Sequence, residues 1–265
     1  MFKTRLLSGV ILMAITILVV VLGKDVLFAA IFAISLIGMM ELYRIVKVHR
    51  KAPGYAGYAA GILYYILLYF GWQQYQLMLF LLFLVALLFI AVFHFPEYKT
   101  EQIAVVFFGL FYVSVMMSYI YQVRMLEEGA LLVWLIFIGA WGSDTCAYCV
   151  GVLFGKHKLA PKLSPKKSIE GSIGGIAGAA LIGFIYATIF QNRITGLNNP
   201  QLAFTVIGVA SSILSQIGDL AASAIKRNYD IKDYGKLIPG HGGILDRFDS
   251  ILFTAPVVYY LAVML

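Results

Sequence analysis

The chain has 265 residues, of which 62% are hydrophobic and only 12% are charged, and its formal net charge is +7. This composition excludes an ordinary soluble protein, because a soluble domain is nearer half apolar and does not contain repeated long apolar runs. The basic residues lie in short loops between those runs, which favours contact with anionic lipid headgroups and argues against a nucleic acid partner.

Nine apolar segments follow one another along the chain, and most have about the 20 residues needed to cross ~30 Å of hydrocarbon. They lie at about 6–23, 26–43, 54–71, 75–95, 102–121, 130–154, 171–190, 202–222 and 245–264. The first is longer than the apolar run of a usual signal peptide, and no convincing cleavage site follows it, so we interpret it as a retained helix. The segments predict an all-α polytopic membrane protein.

The Lys and Arg residues indicate the orientation of these spans. With the N-terminus in the cytoplasm, 17 of the 20 basic residues, beginning with Lys3 and Arg5, fall on the cytoplasmic side, as the positive-inside rule requires. The alternation supports about nine transmembrane helices in one integral membrane domain, 1–265. We predict N-terminal helices over 1–125, and helices with charged cytoplasmic loops, which carry the candidate functional residues, over 126–265. The protein is expected in the cell (inner or plasma) membrane.

Two cysteines, Cys146 and Cys149, form a C-x-x-C pair inside the sixth apolar segment. Such a pair can be a redox or metal motif. No second Cys or His pair lies nearby in the sequence, and the surroundings are apolar. We therefore interpret both cysteines as packing residues.

Five acidic residues lie within or at the ends of the predicted spans, where an ionised carboxylate is costly unless it is paired, protonated or bound to a cation. They are Glu41, Asp144, Asp219, Asp246 and Asp249. Glu41 precedes Arg44 by three positions, which predicts a local ion pair at a helix end. The other four are candidates for a functional site.

The stretch 223–249 concentrates charge between the eighth and ninth spans. Residues three, four or seven positions apart share a face of a helix. The polar residues on one such face of the eighth span and its extension are Asp219, Ser223, Lys226 and Arg227. The corresponding pair on the ninth span is Asp246 and Asp249. If the two faces meet, a carboxylate cluster lies beside basic residues in the cytoplasmic half of the C-terminal helices.

A cluster of carboxylates without His or Cys ligands favours a hard cation such as Mg²⁺, which usually shares its shell with substrate phosphates. Asp219 and Asp246 are the first predicted ligands, and Asp249 and Asp144 are the next. The prediction covers one or two divalent cations and leaves room for a monovalent cation. An internal ion-pair network that only joins helices is the alternative.

The tight element PGHGG at 239–243 carries Gly242 and Gly243, whose main-chain N–H groups can approach phosphate oxygens at the start of the last helix. His241 has three candidate roles, as a base, as a phosphate donor or as a loop-packing residue. The other candidate substrate-binding residues in this stretch are Ser223, Lys226, Arg227, Lys232, Asp233 and Arg247.

The basic loop between the sixth and seventh spans ends in SPKKSIEG, at 164–171. Its candidate substrate-binding residues are Ser164, Lys166, Lys167, Ser168 and Glu170. Two interpretations stay open: the positive charge anchors the loop at the membrane surface, or the loop forms a second phosphate-binding wall. Ser168 also has the position of a helix N-cap.

From Ser223 to Asp249 the chain follows the pattern Ser-x-Ile-Lys-Arg-x4-Lys-Asp-x-Gly-x2-Ile-Pro-x-His-Gly-Gly-Ile-x-Asp-Arg-Phe-Asp. This pattern resembles that of the phosphatidate cytidylyltransferases (CDP-diacylglycerol synthases). The SPKKSIEG loop and the WGSDTCAY helix resemble other parts of the same family. The resemblance implies a Mg²⁺-dependent reaction of CTP with phosphatidate, giving CDP-diacylglycerol and pyrophosphate at the cytoplasmic face, in phospholipid biosynthesis.

The expected mechanism is an in-line attack of a phosphatidate oxygen on the α-phosphorus of CTP, with cations neutralising charge on the attacking and leaving groups. The predicted catalytic residues are Asp219, Asp246, Asp249, Lys226, Arg227 and His241. The predicted phosphate-holding residues are Lys226, Arg227, Arg247, Lys166 and Lys167. The sequence leaves open whether the protein is a homodimer.

Two other functions remain as alternatives. A CTP-dependent polyprenol kinase would transfer the γ-phosphoryl group and release CDP instead of pyrophosphate. A transporter of an anionic substrate would show inverted repeats with broken helices in both halves, whereas the charges of this chain are concentrated in its C-terminal half.

Overall fold

A computed structural model describes residues 2–265, and the side chains from residue 6 onward. The side chains of Lys3 and Arg5, which contribute to the orientation argument, lie outside the described residues. Helices account for most of the described chain, as the apolar segments predict.

Eleven helices form the described chain. In order they are α1 Phe2–Leu22, α2 Lys24–Ile45, α3 Ala52–Tyr69, α4 Gln76–Phe93, α5 Thr100–Gly109, α6 Met116–Arg124, α7 Gly129–Phe137, α8 Ser143–Phe154, α9 Ile169–Phe190, α10 Pro200–Asn228 and α11 Leu245–Met264. A π-helical segment, Leu110–Val115, joins α5 to α6, and another, Ile138–Gly142, joins α7 to α8. Counting each joined pair once, the nine predicted apolar segments correspond to nine helical rods.

Within the described residues, seven helical segments are long and apolar enough to cross a membrane. They are Lys24–Ile45, Gln73–Phe93, Thr100–Arg124, Gly129–Phe154, Ile169–Arg193, Pro200–Asn228 and Leu245–Met264. The first rod contributes a shorter apolar stretch, Leu6–Leu22, and α3 is not among the seven. The fold is therefore that of a polytopic helical membrane protein with seven candidate spans by length and composition.

Local signals explain where several helices begin and end. Gly23, at a φ of +61°, separates α1 from α2 in a conformation that favours glycine. The side chain of Asn199 accepts a hydrogen bond from Leu202 N at 3.1 Å and so caps α10, with Pro200 in the first turn, where its missing N–H costs nothing.

The helices are divided between two compact units. Unit one consists of Met1–Met13, Asp25–Ser118 and Asp233–Asp246. Buried tyrosines in its core contact serines of neighbouring helices. The Tyr65 hydroxyl lies 2.9 Å from Ser35 Oγ, and the Tyr64 hydroxyl lies 2.8 Å from Ser118 Oγ. These pairs satisfy polar groups that lipid-like surroundings would otherwise leave without partners.

Unit two consists of Ala14–Lys24, Tyr119–Lys232 and Arg247–Leu265. In this unit α8 and α9 approach closely because glycines line their contact. A Cβ on Gly174 would lie 2.5 Å from the side chain of Val150. Gly178 faces Cys146 in the same way, which agrees with a packing role for that cysteine.

The basic loop between α8 and α9 contains a short hairpin that the sequence analysis missed. Strand β1, Lys158–Ala160, pairs antiparallel with β2, Ser164–Ser168. The predicted cap is confirmed, because Ser168 Oγ accepts a hydrogen bond from Gly171 N at 3.1 Å. Glu170 accepts a hydrogen bond from Lys156 N at 3.1 Å, and the loop is thereby tied to the start of α9.

Candidate active site

An ion pair connects the basic hairpin with the long helix α10 inside unit two. The ammonium group of Lys167, on β2, pairs with the carboxylate of Asp219. Both side chains are about a quarter exposed, at 25% and 28%. The structure thus brings together two residues that the sequence analysis assigned to different tasks, phosphate binding and metal binding.

Two further carboxylates belong to the same electrostatic environment. Asp144, in the first turn of α8, interacts with Lys167, Asp219 and Arg247. Asp249, on α11, interacts with Asp219, Lys226 and Arg247. We call these six residues the Asp219 cluster: Asp144, Lys167, Asp219, Lys226, Arg247 and Asp249. Three acidic and three basic side chains therefore lie in one electrostatic environment of unit two.

A glycine next to Asp219 makes this convergence sterically feasible. A Cβ on Gly218 would lie 2.8 Å from the carbonyl oxygen of Asp249 and 2.7 Å from the ring of Phe253. Only a residue without a side chain lets α10 approach α11 this closely. Gly218 could not be identified from the sequence, because a lone glycine in an apolar helix does not indicate which helix it faces.

Arg247 contributes an unsatisfied donor to the cluster. Its Nε is buried and, within the described part of the chain, has no hydrogen-bond partner. A buried guanidinium N–H without an acceptor costs free energy. Guanidinium groups bind carboxylate and phosphate oxygens through paired, charge-assisted hydrogen bonds, so Arg247 has the chemistry to bind an anion.

The Asp219 cluster matches Mg²⁺ in the type of its ligand atoms but not in their arrangement. Asp144, Asp219 and Asp249 offer only oxygen donors, which is the ligand type that Mg²⁺ prefers. Across residues 2–265, no group of three or more His, Cys, Asp or Glu side chains is arranged so that it could hold a metal ion. Asp219 is paired with Lys167 in this arrangement. The donor set suits a hard cation, but its ligands are not gathered around one point.

Asp246 has a different environment, inside unit one. Its Oδ2 accepts hydrogen bonds from Tyr234 N at 2.8 Å and from Gly243 N at 2.9 Å, and the residue is 5% exposed. Gly242, at a φ of +85°, passes so close that a Cβ there would lie 2.8 Å from the same oxygen. Asp246 therefore holds the glycine-rich loop in place through two backbone hydrogen bonds.

Glu41 corrects one prediction. It forms no ion pair with Arg44. Instead Glu41 Oε1 accepts a hydrogen bond from Ile244 N at 3.0 Å, and Oε2 accepts one from Leu245 N at 2.9 Å. The predicted partner lies within one helical turn of Glu41, whereas these partners lie 203 and 204 positions further along the chain. Because a buried acid is costly unless its oxygens are bonded, the position of Glu41 did correctly indicate that it has a partner.

His241 packs against the first helix of unit one. Its Nδ1 lies 2.9 Å from Ser8 Oγ, and the Ser8 hydroxyl donates to the carbonyl oxygen of Pro239 at 3.0 Å. The ring also rests on Gly9, where a Cβ would be 3.6 Å from Cε1. Of the three roles left open for His241, loop packing is the one with a visible contact.

The remaining candidates are spread along the hairpin, the end of α10 and the loop. Four of them are exposed: Lys166, Arg227, Lys232 and Asp233. Ser164 and Ser223 are half-buried. Glu170 lies 2.6 Å from His157 Nδ1 and accepts hydrogen bonds from backbone N–H groups, so its contacts tie the loop together. Gly243 donates its N–H to Asp246, which leaves that amide engaged within the loop.

Comparisons with known proteins cover the whole chain. A profile described as the cytidylyltransferase family matches residues 3–265. A phosphatidate cytidylyltransferase of Bacillus subtilis is 34% identical over an alignment of 269 positions, which covers 98% of this chain and 97% of that protein. Proteins of the same name in Thermotoga maritima and Haemophilus influenzae are 34% and 43% identical over 62% and 50% of this chain, and those matches span 60% and 46% of the two proteins.

Proposed function

This chain belongs to the cytidylyltransferase family, and we propose from this that it is a phosphatidate cytidylyltransferase. It converts CTP and phosphatidate into CDP-diacylglycerol and pyrophosphate, a step of phospholipid biosynthesis. The observation that carries the proposal is the similarity to the Bacillus subtilis enzyme over 98% of the chain. The Asp219 cluster supports it, because a membrane protein that handles a triphosphate and a lipid phosphate needs converging positive charge beside carboxylates.

The reaction is a displacement at phosphorus. An oxygen of the phosphatidate headgroup attacks the α-phosphorus of CTP, the bond to the bridging oxygen breaks, and pyrophosphate carries away the electron pair. Arg247 and Lys167 are suited to hold phosphate oxygens in the ground state and to balance the charge that develops on them. Positioning and electrostatics suffice for this transfer, so no covalent intermediate on the protein is required.

We propose Mg²⁺ as the cofactor, held first by Asp219 and Asp246 and then by Asp249 and Asp144, with one or two cations in all. The oxygen-only donor set supports the choice of a hard cation. When bound, Mg²⁺ would neutralise charge on the attacking and leaving oxygens. In unit two, Lys167 and Arg247 keep the carboxylates of the cluster from repelling one another, so these residues serve both the metal ligands and the substrate phosphates.

The finer topology is also a proposal. We propose nine transmembrane helices with the N-terminus in the cytoplasm, in the cell membrane, and with the active site on the cytoplasmic side, where CTP is available. Nine helical rods and the placement of 17 of 20 basic residues on one side support this arrangement. A homodimer stays a prediction.

Purified protein in detergent, supplied with Mg²⁺, phosphatidate and CTP, tests the proposal. CTP labelled at the α-phosphorus should transfer its label to the lipid phase, and CTP labelled at the γ-phosphorus should give labelled pyrophosphate. Lipid labelled only from the γ-position, with a polyprenol acceptor, would instead identify a kinase. Folded protein that gives no lipid label from either form would refute the proposal.

A further inference from the structure

Glu41 lies in the N-terminal half of the chain, yet both oxygens of its carboxylate accept hydrogen bonds from the backbone at the start of α11. The residue is 2% exposed. Its two oxygens accept one hydrogen bond each, from the consecutive backbone groups Ile244 N and Leu245 N. These N–H groups belong to the start of α11, where no helical acceptor exists for them. Both the loop and Glu41 belong to unit one.

The glycines of the loop fit the Glu41 carboxylate closely. A Cβ on Gly235 would lie 2.9 Å from Glu41 Cδ, and a Cβ on Gly243 would lie 2.5 Å from Oε2. Neither Gly235 nor Gly243 has a positive φ, so the backbone conformation does not require glycine at these positions. Close approach to Glu41 is therefore the reason for glycine at both positions, and phosphate contact is not needed to explain them.

A second carboxylate holds the other side of the same loop. Asp246 accepts hydrogen bonds from Tyr234 N and Gly243 N, so three consecutive N–H groups, at 243, 244 and 245, donate to two buried acids. Glu41 and Asp246 repel each other. The positive end of the α11 dipole and the donated N–H groups offset that repulsion. An arrangement that gathers two buried acids around one helix start restrains that start strongly.

We propose that Glu41 is a positioning residue for the reaction: it fixes the backbone of the glycine-rich loop at the start of α11 and thereby the position of Asp246, an acid that shares this loop and is assigned to the reaction. Glu41 touches neither substrate nor metal in this role. The part that concerns the reaction rests on the proposed cytidylyl transfer, whereas the restraint on the loop does not.

The test uses three variants of the full-length protein. Glu41→Ala removes both acceptors, and Glu41→Gln keeps one acceptor oxygen. Glu97→Gln is the control, since Glu97 is an exposed carboxylate of the same unit that pairs with Lys51. Trypsin cleavage after the exposed loop residue Lys236 reports on the loop, thermal unfolding reports on the whole protein, and kcat and KM for CTP report on the reaction.

We expect Glu41→Ala to lower kcat about tenfold while KM for CTP changes little, because two buried N–H groups lose their acceptors. Cleavage after Lys236 should accelerate at temperatures where the protein remains folded, and Glu41→Gln should lie between Glu41→Ala and the wild type in both measurements. If Glu41→Ala does not fold, the Gln variant decides.

Wild-type cleavage and kcat in both Glu41 variants would overturn the proposal. So would a loss of activity that merely follows a loss of folded protein. Failure of the proposed function looks different: the wild type itself would then form no CDP-diacylglycerol. The cleavage measurement would still decide whether Glu41 restrains the loop, and the claim about the reaction would fall with the function.

Discussion

Lys167 in the hairpin forms an ion pair with Asp219 in α10. An exposed ion pair adds little to stability, and this pair is only partly buried, so its contribution to folding is about 0–1 kcal/mol. Its larger effect is electrostatic. Asp219 also lies in the field of Asp144 and Asp249, and Lys167 is the cation that contacts it. Variants of the cluster should therefore change substrate binding and catalysis more than stability.

Replacing Lys167 by alanine should raise KM for CTP by about tenfold, because a charge-assisted contact to phosphate is lost and the carboxylates are left uncompensated. The melting temperature should change little. Lys162→Ala is the matched control, since Lys162 is an exposed lysine of the same loop. Steady-state kinetics with varied CTP measure the effect. Equal KM values for the two variants would show that Lys167 does not bind the nucleotide.

Arg247→Lys should lower the activity, although it keeps the positive charge. The buried Nε that has no hydrogen-bond partner among the described residues belongs to a planar guanidinium, which lysine cannot imitate. We expect kcat/KM to fall by about tenfold. Arg50→Lys, at an exposed arginine in unit one, is the control and should leave kcat/KM unchanged. A fully active Arg247→Lys enzyme would reduce the role of this residue to that of a point charge.

Asp219→Asn and Asp246→Asn should both reduce activity, by about a hundredfold or more if each carboxylate holds a cation that acts on the transition state. Only the Asp246 variant should also accelerate trypsin cleavage after Lys236, because Asp246 accepts two backbone N–H groups of that loop. The control is Asp230→Asn, at an exposed residue with a φ of +53°, which asparagine tolerates. Wild-type activity in Asp219→Asn would refute the metal assignment.

Gly218→Ala should destabilise the protein by about 1–3 kcal/mol, because the added methyl group collides with the carbonyl oxygen of Asp249 and the ring of Phe253. Thermal unfolding in detergent measures the effect. Gly142→Ala serves as the comparison, since its nearest neighbour would be Ile182 Cδ1 at an ordinary 3.5 Å. A melting temperature equal to that of Gly142→Ala would mean that α10 and α11 can move apart freely.

The sequence predicted the helical rods well, because long apolar runs have few alternatives in a membrane. Helical spacing predicted that Asp219 and Lys226 share a face of α10, but it could not show that Lys167, on the hairpin, is the cation that pairs with Asp219. The hairpin at 158–168 escaped prediction because its strands are short and rich in lysine. The partners of Glu41, Ile244 and Leu245, were not predicted because helical spacing relates only residues of one helix, whereas these contacts depend on tertiary packing.

The π-helical segment Ile138–Gly142 has a consequence for Asp144, which follows it by two positions. A π-helical turn holds an extra residue, and each residue of an α-helix corresponds to a rotation of about 100°. The segment therefore sets the rotational phase of α8 relative to α7. If the same residues formed an uninterrupted α-helix, the Asp144 side chain would be turned by about 100° around the helix axis. Deleting one residue within the segment would convert the π-turn to an ordinary α-turn and would leave Asp144 close to its present phase.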